Sequence, residues 1–135
     1  MPQKSATIAL LNSGKILLLK RGTTAPWQPN KYCLVGGGVD DNESLIDAAI
    51  RETKEEIDLS LDKLSIKELN VCYYNGYSKI VFYSFVKNIS VNLNYEHSEY
   101  LWASYDDCMK LYDAGKLVPR LKKTVKELQK HGVLT

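Results

Sequence analysis

The sequence is poor in several features, and each shortage narrows what the chain can be. No apolar run approaches the roughly 18 residues that a membrane-crossing helix needs, so no membrane partner is expected. The opening "MPQKSATIALLN" has no apolar stretch long enough for an export signal. Only three cysteines are present, Cys33, Cys72 and Cys108, an odd number at no metal-ligand spacing. That argues for free thiols in a reducing compartment, and a cytoplasmic setting is expected. An excess of one charge is also missing. The net charge of +2 is too small to argue for capture of nucleic acid or an anionic lipid surface. Repeats, linkers and low-complexity segments are absent. What is there, 135 residues with 44% hydrophobic and 25% charged side chains, fits one domain over 1–135 with a core of its own.

The order of elements can be read from pattern. Ser5 to Leu11 and Lys15 to Lys20 are apolar runs joined by "NSGK", which predicts a hairpin. Residues 21–31, with two prolines and no period, predict a loop, and Tyr32 to Val35 a short strand running into three glycines. Ile46, Ala49, Ile50, Thr53 and Ile57 recur at helical spacing and predict a helix over 43–57, with Asp40 and Glu43 as its capping box. Leu64 to Tyr74 and Tyr77 to Lys87 predict two strands around an Asn75-Gly76 turn. A further strand is expected at Tyr100 to Ala103, and a helix from Ser104 to Gly115. A last helix should bury Val118, Leu121, Val125 and Leu128, with Pro119 near its first turn. Strands and helices mix without strict alternation, so a mixed sheet packed between helices is expected.

The stretch "GGGVDDNESLIDAAIRETKEEIDL" carries the chemistry. Glu55 and Glu56 lie three and four residues after Glu52, so all three project near one helix face and should stand at the edge of the apolar stripe. Such like charges oppose helix formation by a few tenths of a kcal/mol per pair. A divalent cation reverses that sign. Hard ions such as Mg²⁺ take oxygen ligands, and Mg²⁺ is typically shared between carboxylates and substrate phosphates. A glycine turn ahead of the helix can offer amides to an anion or a carbonyl to a metal.

The spacing extends further. Gly37, five residues, Glu43, seven residues, then Arg51-Glu52-Thr53-Lys54-Glu55-Glu56-Ile57-Asp58-Leu59 resembles the signature of the Nudix family, with seven fixed positions matched. Thr53 stands where that family usually has an aliphatic residue, Asp58 where it has glycine, and Val35 where it often has proline. None of these departures removes a carboxylate or the arginine.

The resemblance implies an α/β/α sandwich and hydrolysis of nucleoside diphosphates linked to another group, with Mg²⁺ or Mn²⁺. Glu52, Glu55 and Glu56, with the carbonyl of Gly36, would hold the metal. Glu43 and Arg51 would pair to orient the helix, and Gly37 and Gly38 belong to the same box. Glu52 or a carboxylate of "NYEHSEYLW" would activate water, Glu96 being favoured over Glu99. His97 is read as a loop histidine with a structural hydrogen bond and Trp102 as core. The family pattern further suggests Arg21 and Lys31 for substrate phosphate and Trp27 or Tyr32 for base stacking. The leading expectation is hydrolysis of a soluble nucleoside triphosphate to monophosphate and pyrophosphate, by a monomer or homodimer. The segment "EHSEYLW" motivates a dinucleoside polyphosphate or ADP-ribose instead. The basic residues Lys116, Arg120, Lys122, Lys123, Lys126 and Lys130 motivate an RNA 5′ end more weakly, since nucleic acid is not an expected partner. A nucleotide-binding module without catalysis is the alternative from another class.

Overall fold

The computed structural model describes residues 3–73 and 76–135. Its elements are β1 (Ser5–Asn12), β2 (Lys15–Arg21), β3 (Tyr32–Cys33), β4 (Val35–Gly38), α1 (Leu45–Ile57), β5 (Lys67–Cys72), β6 (Ser78–Phe85), β7 (His97–Ala103), α2 (Tyr105–Asp113) and α3 (Leu121–Lys130), with one 3₁₀ turn at Lys63–Ser65. The strands form one mixed sheet in the order β3-β2-β1-β6-β5, with β4 added to β1 and β7 to β2. Among the described strands, β1 and β6 are the pair that runs parallel. Ile8 to Leu11 and Ile16 to Leu19 are fully buried at consecutive positions. Strands alternate faces, so both faces of the sheet are covered. The α1 helix packs on β4 and β1, while α2 and α3 pack on each other and on β7 and β5. None of the described helices is long and apolar enough to cross a membrane.

The predicted first hairpin turns at Ser13 and Gly14, both at positive φ as a two-residue type I′ turn requires. Its strands stay paired only at Leu11–Ile16 and Asn12–Lys15. Beyond that they splay, and residues 32–38 enter the wedge. Tyr32 and Cys33 pair with β2, while Val35 to Gly38 pair with β1. The glycine segment is therefore a strand against the centre of the sheet.

Several boundaries differ from expectation. The helix cap is Ser44, whose Oγ accepts from the Asp47 amide at 3.2 Å. Glu43 does reach back to the Asp40 amide at 3.0 Å, but in the turn that precedes α1. The β5 strand starts at Lys67 because the 3₁₀ turn occupies its expected first residues. The β7 strand begins at His97 rather than Tyr100, since β2 pairs with it back to Arg21. Pro119 precedes α3, which starts at Leu121. Of the expected Asn75-Gly76 turn, Asn75 lies outside the described residues, and Gly76 has φ +78. The Ser104–Asp107 capping box on α2 is present in full. All three cysteines are free, Cys33 and Cys108 buried and Cys72 exposed.

Candidate active site

Helix α1 is rotated relative to the predicted stripe. Its buried residues are Ala48, Ala49, Glu52, Thr53, Glu56 and Ile57. Glu52 and Glu56 thus face the sheet, and of the three glutamates only Glu55 is exposed, contrary to a row of carboxylates at the helix edge. The cause is what they face. Ala48 and Ala49 are small, and β4 is nearly all glycine, so two carboxylates fit where larger side chains would otherwise close the gap. A β-carbon on Gly37 would collide with the Glu52 carboxylate, and one on Gly36 with the Ala6 carbonyl and Thr7 of β1. Gly38 has open space around it. Thr53, in its aliphatic slot, is fully buried and satisfies its hydroxyl on the Ala49 carbonyl at 2.7 Å.

Burial makes these carboxylates costly to ionise. The Glu56 carboxyl is pushed up to about 8, first by desolvation and then by the neighbouring Glu52, Glu96 and Glu55. One N–H from Gly36, 3.0 Å from its Oε1, works in the opposite direction. Glu52 is also raised by burial, with Arg51 opposing.

Arg51 gathers the other acids. Its guanidinium donates two bonds of 2.9 Å to Glu43, the bidentate geometry that favours arginine. It also donates to the Gly38 carbonyl at 2.8 Å, to Glu52 at 3.0 Å and to Glu55 at 3.3 Å. The arginine holds the Glu43 carboxyl down at about 2, helped by the Asp40 amide. One side chain therefore ties the glycine strand, the turn before α1 and the exposed side of the acid cluster together.

Glu96 reaches the cluster from a different part of the chain. The amides of Asn92 and Asn94 donate to the carbonyls of Ile57 and Glu56 at 3.2 and 3.0 Å, satisfying the open end of α1. The Asn94 side chain accepts from the Glu96 amide at 3.1 Å and donates to its carboxylate at 3.3 Å. Glu96 acts electrostatically on both Glu52 and Glu56. Glu99, by contrast, lies in β7 and binds Lys20 at 3.4 Å and the Tyr32 hydroxyl. The role of Asn94 was not anticipated, although Asn two residues before an acid is a recognisable side-chain turn signal.

A cleft of about 690 Å³ borders the cluster across Gly36, Gly37 and Gly38. Arg21 and Trp27 line it: the guanidinium lies 5.4 Å from the Trp27 ring centre and donates to the Trp27 carbonyl at 2.7 Å. Lys31 and Tyr32 do not line it. Tyr32 is held at the sheet edge, its backbone bonded to Lys116 and Val118. Of three further lining residues, Lys79 and Tyr73 carried no local signal, and Arg120 had been read only as one of the basic residues near the last helix. Lys79 donates to Ser5 at 2.8 Å, is depressed mainly by burial, and pairs with no carboxylate among the described residues. His97 differs from expectation. It starts a strand, sits buried with Nε2 3.8 Å from the Cys33 sulfur, and its Nδ1 has no hydrogen-bond partner among the described residues. Burial lowers its pKa.

The cluster offers oxygen donors alone, the set that suits a hard divalent cation. Two buried, mutually repelling carboxylates are the arrangement such a charge would stabilise. As they stand, Glu52 and Glu55 share Arg51, and among the described residues no three Asp, Glu, His or Cys side chains are gathered to hold an ion.

Comparison with known proteins agrees with this layout. Residues 1–128 match the NUDIX domain. Over 121 residues the chain is 34% identical to the bis(5′-nucleosyl)-tetraphosphatase [asymmetrical] of Caenorhabditis elegans, covering 82% of this chain and 84% of that protein. The crystal structure of a C. elegans Ap4A hydrolase binary complex superposes with a TM-score of 0.71 at 23% identity, covering 95% of this chain and 97% of that one. That of the MutT protein from Methanosarcina mazei Go1 gives 0.71 at 25% identity, covering 95% and 93%. With the box helix, the glycine strand and the Arg51 hub in place, the chain belongs to the Nudix hydrolase family and is a hydrolase acting on pyrophosphate bonds.

Proposed function

We propose that this enzyme hydrolyses dinucleoside polyphosphates of the diadenosine tetraphosphate class, with Mg²⁺ or Mn²⁺, into unequal halves. The observation that carries this reading is the 34% identity to an asymmetrical bis(5′-nucleosyl)-tetraphosphatase across most of both chains. It displaces the nucleoside triphosphate favoured on sequence alone.

Glu52, Glu55 and Glu56, with the Gly36 carbonyl, would hold the cation, which when bound supplies charge neutralisation on the diphosphate and a lower pKa for the attacking water. The protein's own parts do the rest. Glu96, steered beside Glu52 and Glu56 by Asn94, accepts the proton of that water. Arg51 fixes Glu52, Glu55 and the Gly38 backbone in one geometry. Arg21 takes a phosphate oxygen, and Trp27, half exposed beside it, offers a face to a base. Water adds to a phosphorus of the chain, the bridging oxygen leaves, and the products are a nucleoside triphosphate and a monophosphate.

The test is the initial rate on diadenosine tetraphosphate, ATP, ADP-ribose and 5′-triphosphorylated RNA, with Mg²⁺ and with chelator. The expected result is metal-dependent cleavage with kcat/KM for the dinucleotide roughly tenfold or more above ATP. A preference for ATP would return the assignment to a triphosphate pyrophosphohydrolase. Full turnover by Glu56→Gln would overturn the mechanism.

A further inference from the structure

The pairing of β2 with β7 is regular from Ile16–Ala103 to Lys20–Glu99 and then slips: Arg21 stands opposite His97, and Ser98 has no opposite number. An extra residue on one strand is a β-bulge, a feature that re-aims side chains beside active sites. Here it decides the face that His97 takes. Leu19 pairs with Cys33 on one side and Tyr100 on the other, and cross-strand partners share a face. Alternation along β2 puts Arg21 on that face too. Without the slip, Ser98 would stand beside Arg21, and His97 would turn to the opposite face with Glu99 and Leu101. The slip brings His97 across. Its Nε2 lies 3.8 Å from the Cys33 sulfur, and both residues line the main cleft with Arg21.

The contact with sulfur has a direction. Burial pushes the Cys33 thiol up to about 12, so it keeps its proton, which it donates to the Leu19 carbonyl at 3.4 Å. The sulfur is left as an acceptor, and Nε2 therefore carries the N–H of the ring. Nδ1 is then a bare acceptor, buried and without a hydrogen-bond partner among the described residues. An apolar side chain in this place would escape that cost. A position that breaks a packing rule is a mark of function rather than of folding. The neighbour in the chain is Glu96. Its carbonyl accepts from the Gly22 amide at 3.1 Å, just past the bulge, and the His97 amide donates to the Asn94 carbonyl at 3.4 Å. Arg21 and Glu96 both act electrostatically on His97 and on Cys33. The imidazole thus stands between the arginine of the cleft and the carboxylate that reaches the acid cluster.

We propose that His97 is a positioning residue: carried across the sheet by the bulge at Ser98 and anchored on the Cys33 sulfur, it fixes the direction in which Glu96 meets the acid cluster. The proposal rests on the reading of Glu96 as the group that takes the proton of the attacking water, and deepens it.

The test compares His97→Leu, His97→Gln, Glu96→Gln and the double variant His97→Leu with Glu96→Gln, all in the full chain. Each is assayed with Mg²⁺ on whichever of diadenosine tetraphosphate and ATP the wild type cleaves faster. Leu keeps the buried volume and removes the unpaired nitrogen, so its thermal midpoint is expected at or above that of wild type. Its kcat is expected to fall roughly a hundredfold at nearly constant KM, the scale of a catalytic group displaced by about 1 Å. Gln can offer an N–H to the sulfur and is expected to recover part of that loss. The double variant is expected to match Glu96→Gln alone, because a residue that acts through another adds nothing once the other is gone. Wild-type kcat in His97→Leu, or losses that multiply in the double variant, overturns the positioning role and leaves Glu96 as the base. Wild-type turnover by Glu96→Gln removes the base and this proposal with it. A midpoint well below wild type in His97→Leu, with no recovery in His97→Gln, makes the histidine a packing residue and overturns the proposal as well.

Discussion

Gly37 and Gly38 are neighbours with opposite obligations. A β-carbon at Gly37 meets the Glu52 carboxylate, the flexible end of a side chain, whereas one at Gly38 meets nothing within 4 Å. Gly37→Ala should therefore leave the fold intact, displace Glu52 and lower kcat/KM by roughly tenfold to a hundredfold, the scale seen when groups around a metal ligand are disturbed. Gly38→Ala should stay near wild type. Equal activity of the two variants would mean that Glu52 has no fixed position in catalysis. The sequence made both glycines members of one motif and could not separate them, because the difference lies in the depth at which α1 docks. Helical spacing did put Glu52, Glu55 and Glu56 together, whereas Arg51 came in only through the resemblance to the Nudix signature. That two of the glutamates are buried was hidden, because carboxylates are ordinarily assigned to the solvent side.

Helix α1 ends at Asp58, in the position the family usually gives to glycine. Asp58 adopts φ 58 and ψ 40, and its amide closes the helix onto the Lys54 carbonyl at 3.1 Å. A left-handed conformation costs an L-residue about 1–2 kcal/mol, somewhat less for Asp. Replacement by glycine also frees the unfolded chain, which takes back roughly 0.4–1 kcal/mol. The exposed bond from Lys54 to Asp58, 2.6 Å long, contributes about 0.3–0.5 kcal/mol. The balance predicts that Asp58→Gly stabilises the protein by ~0.5 kcal/mol, read from urea midpoints. A loss of stability would place more weight on the Lys54 pair than exposure allows. Most elements were legible from periodicity and turn residues. The early start of β7 was not, because Ser98, Glu99 and Tyr100 are exposed and show no alternation; pairing with β2 decides it. The parting of β1 and β2 was equally hidden, since it depends on a third segment entering between them.

For the molecule as a whole, a net charge of +2 conceals a separation. Glu52, Glu55, Glu56 and Glu96 collect at one side of the glycine strand, while Arg21, Lys79 and Arg120 line the adjoining cleft. Composition averages this away, and only the sheet brings Lys79 and Arg120 to one wall. A fold that buries carboxylates is stabilised by any cation bound to the native state alone. At Mg²⁺ a hundredfold above its dissociation constant the gain is about 2.7 kcal/mol. The thermal midpoint should rise with Mg²⁺ in wild type and fall back with chelator. Glu56→Gln should lose that response while being no less stable than wild type without metal. A wild-type midpoint indifferent to Mg²⁺ and Mn²⁺ would remove the cation from the cluster.

The loop between β2 and β3 is pinched shut at its base. Arg21 donates its amide to Lys31 at 2.9 Å and accepts one from Asn30 at 3.1 Å, just before β3 enters the wedge. The segment within carries Trp27 to the cleft; at its start the Gly22 amide donates to the Glu96 carbonyl at 3.1 Å, so Gly22 belongs with the acid cluster and the residues that follow it form the variable part. Doubling the length of such a loop costs only about 0.6 kcal/mol in closure entropy. The enzyme is thus built as a fixed hydrolytic frame with an exchangeable cassette. Grafting other sequences between Gly22 and Pro29 is a route to new leaving groups that leaves the acid cluster where it is.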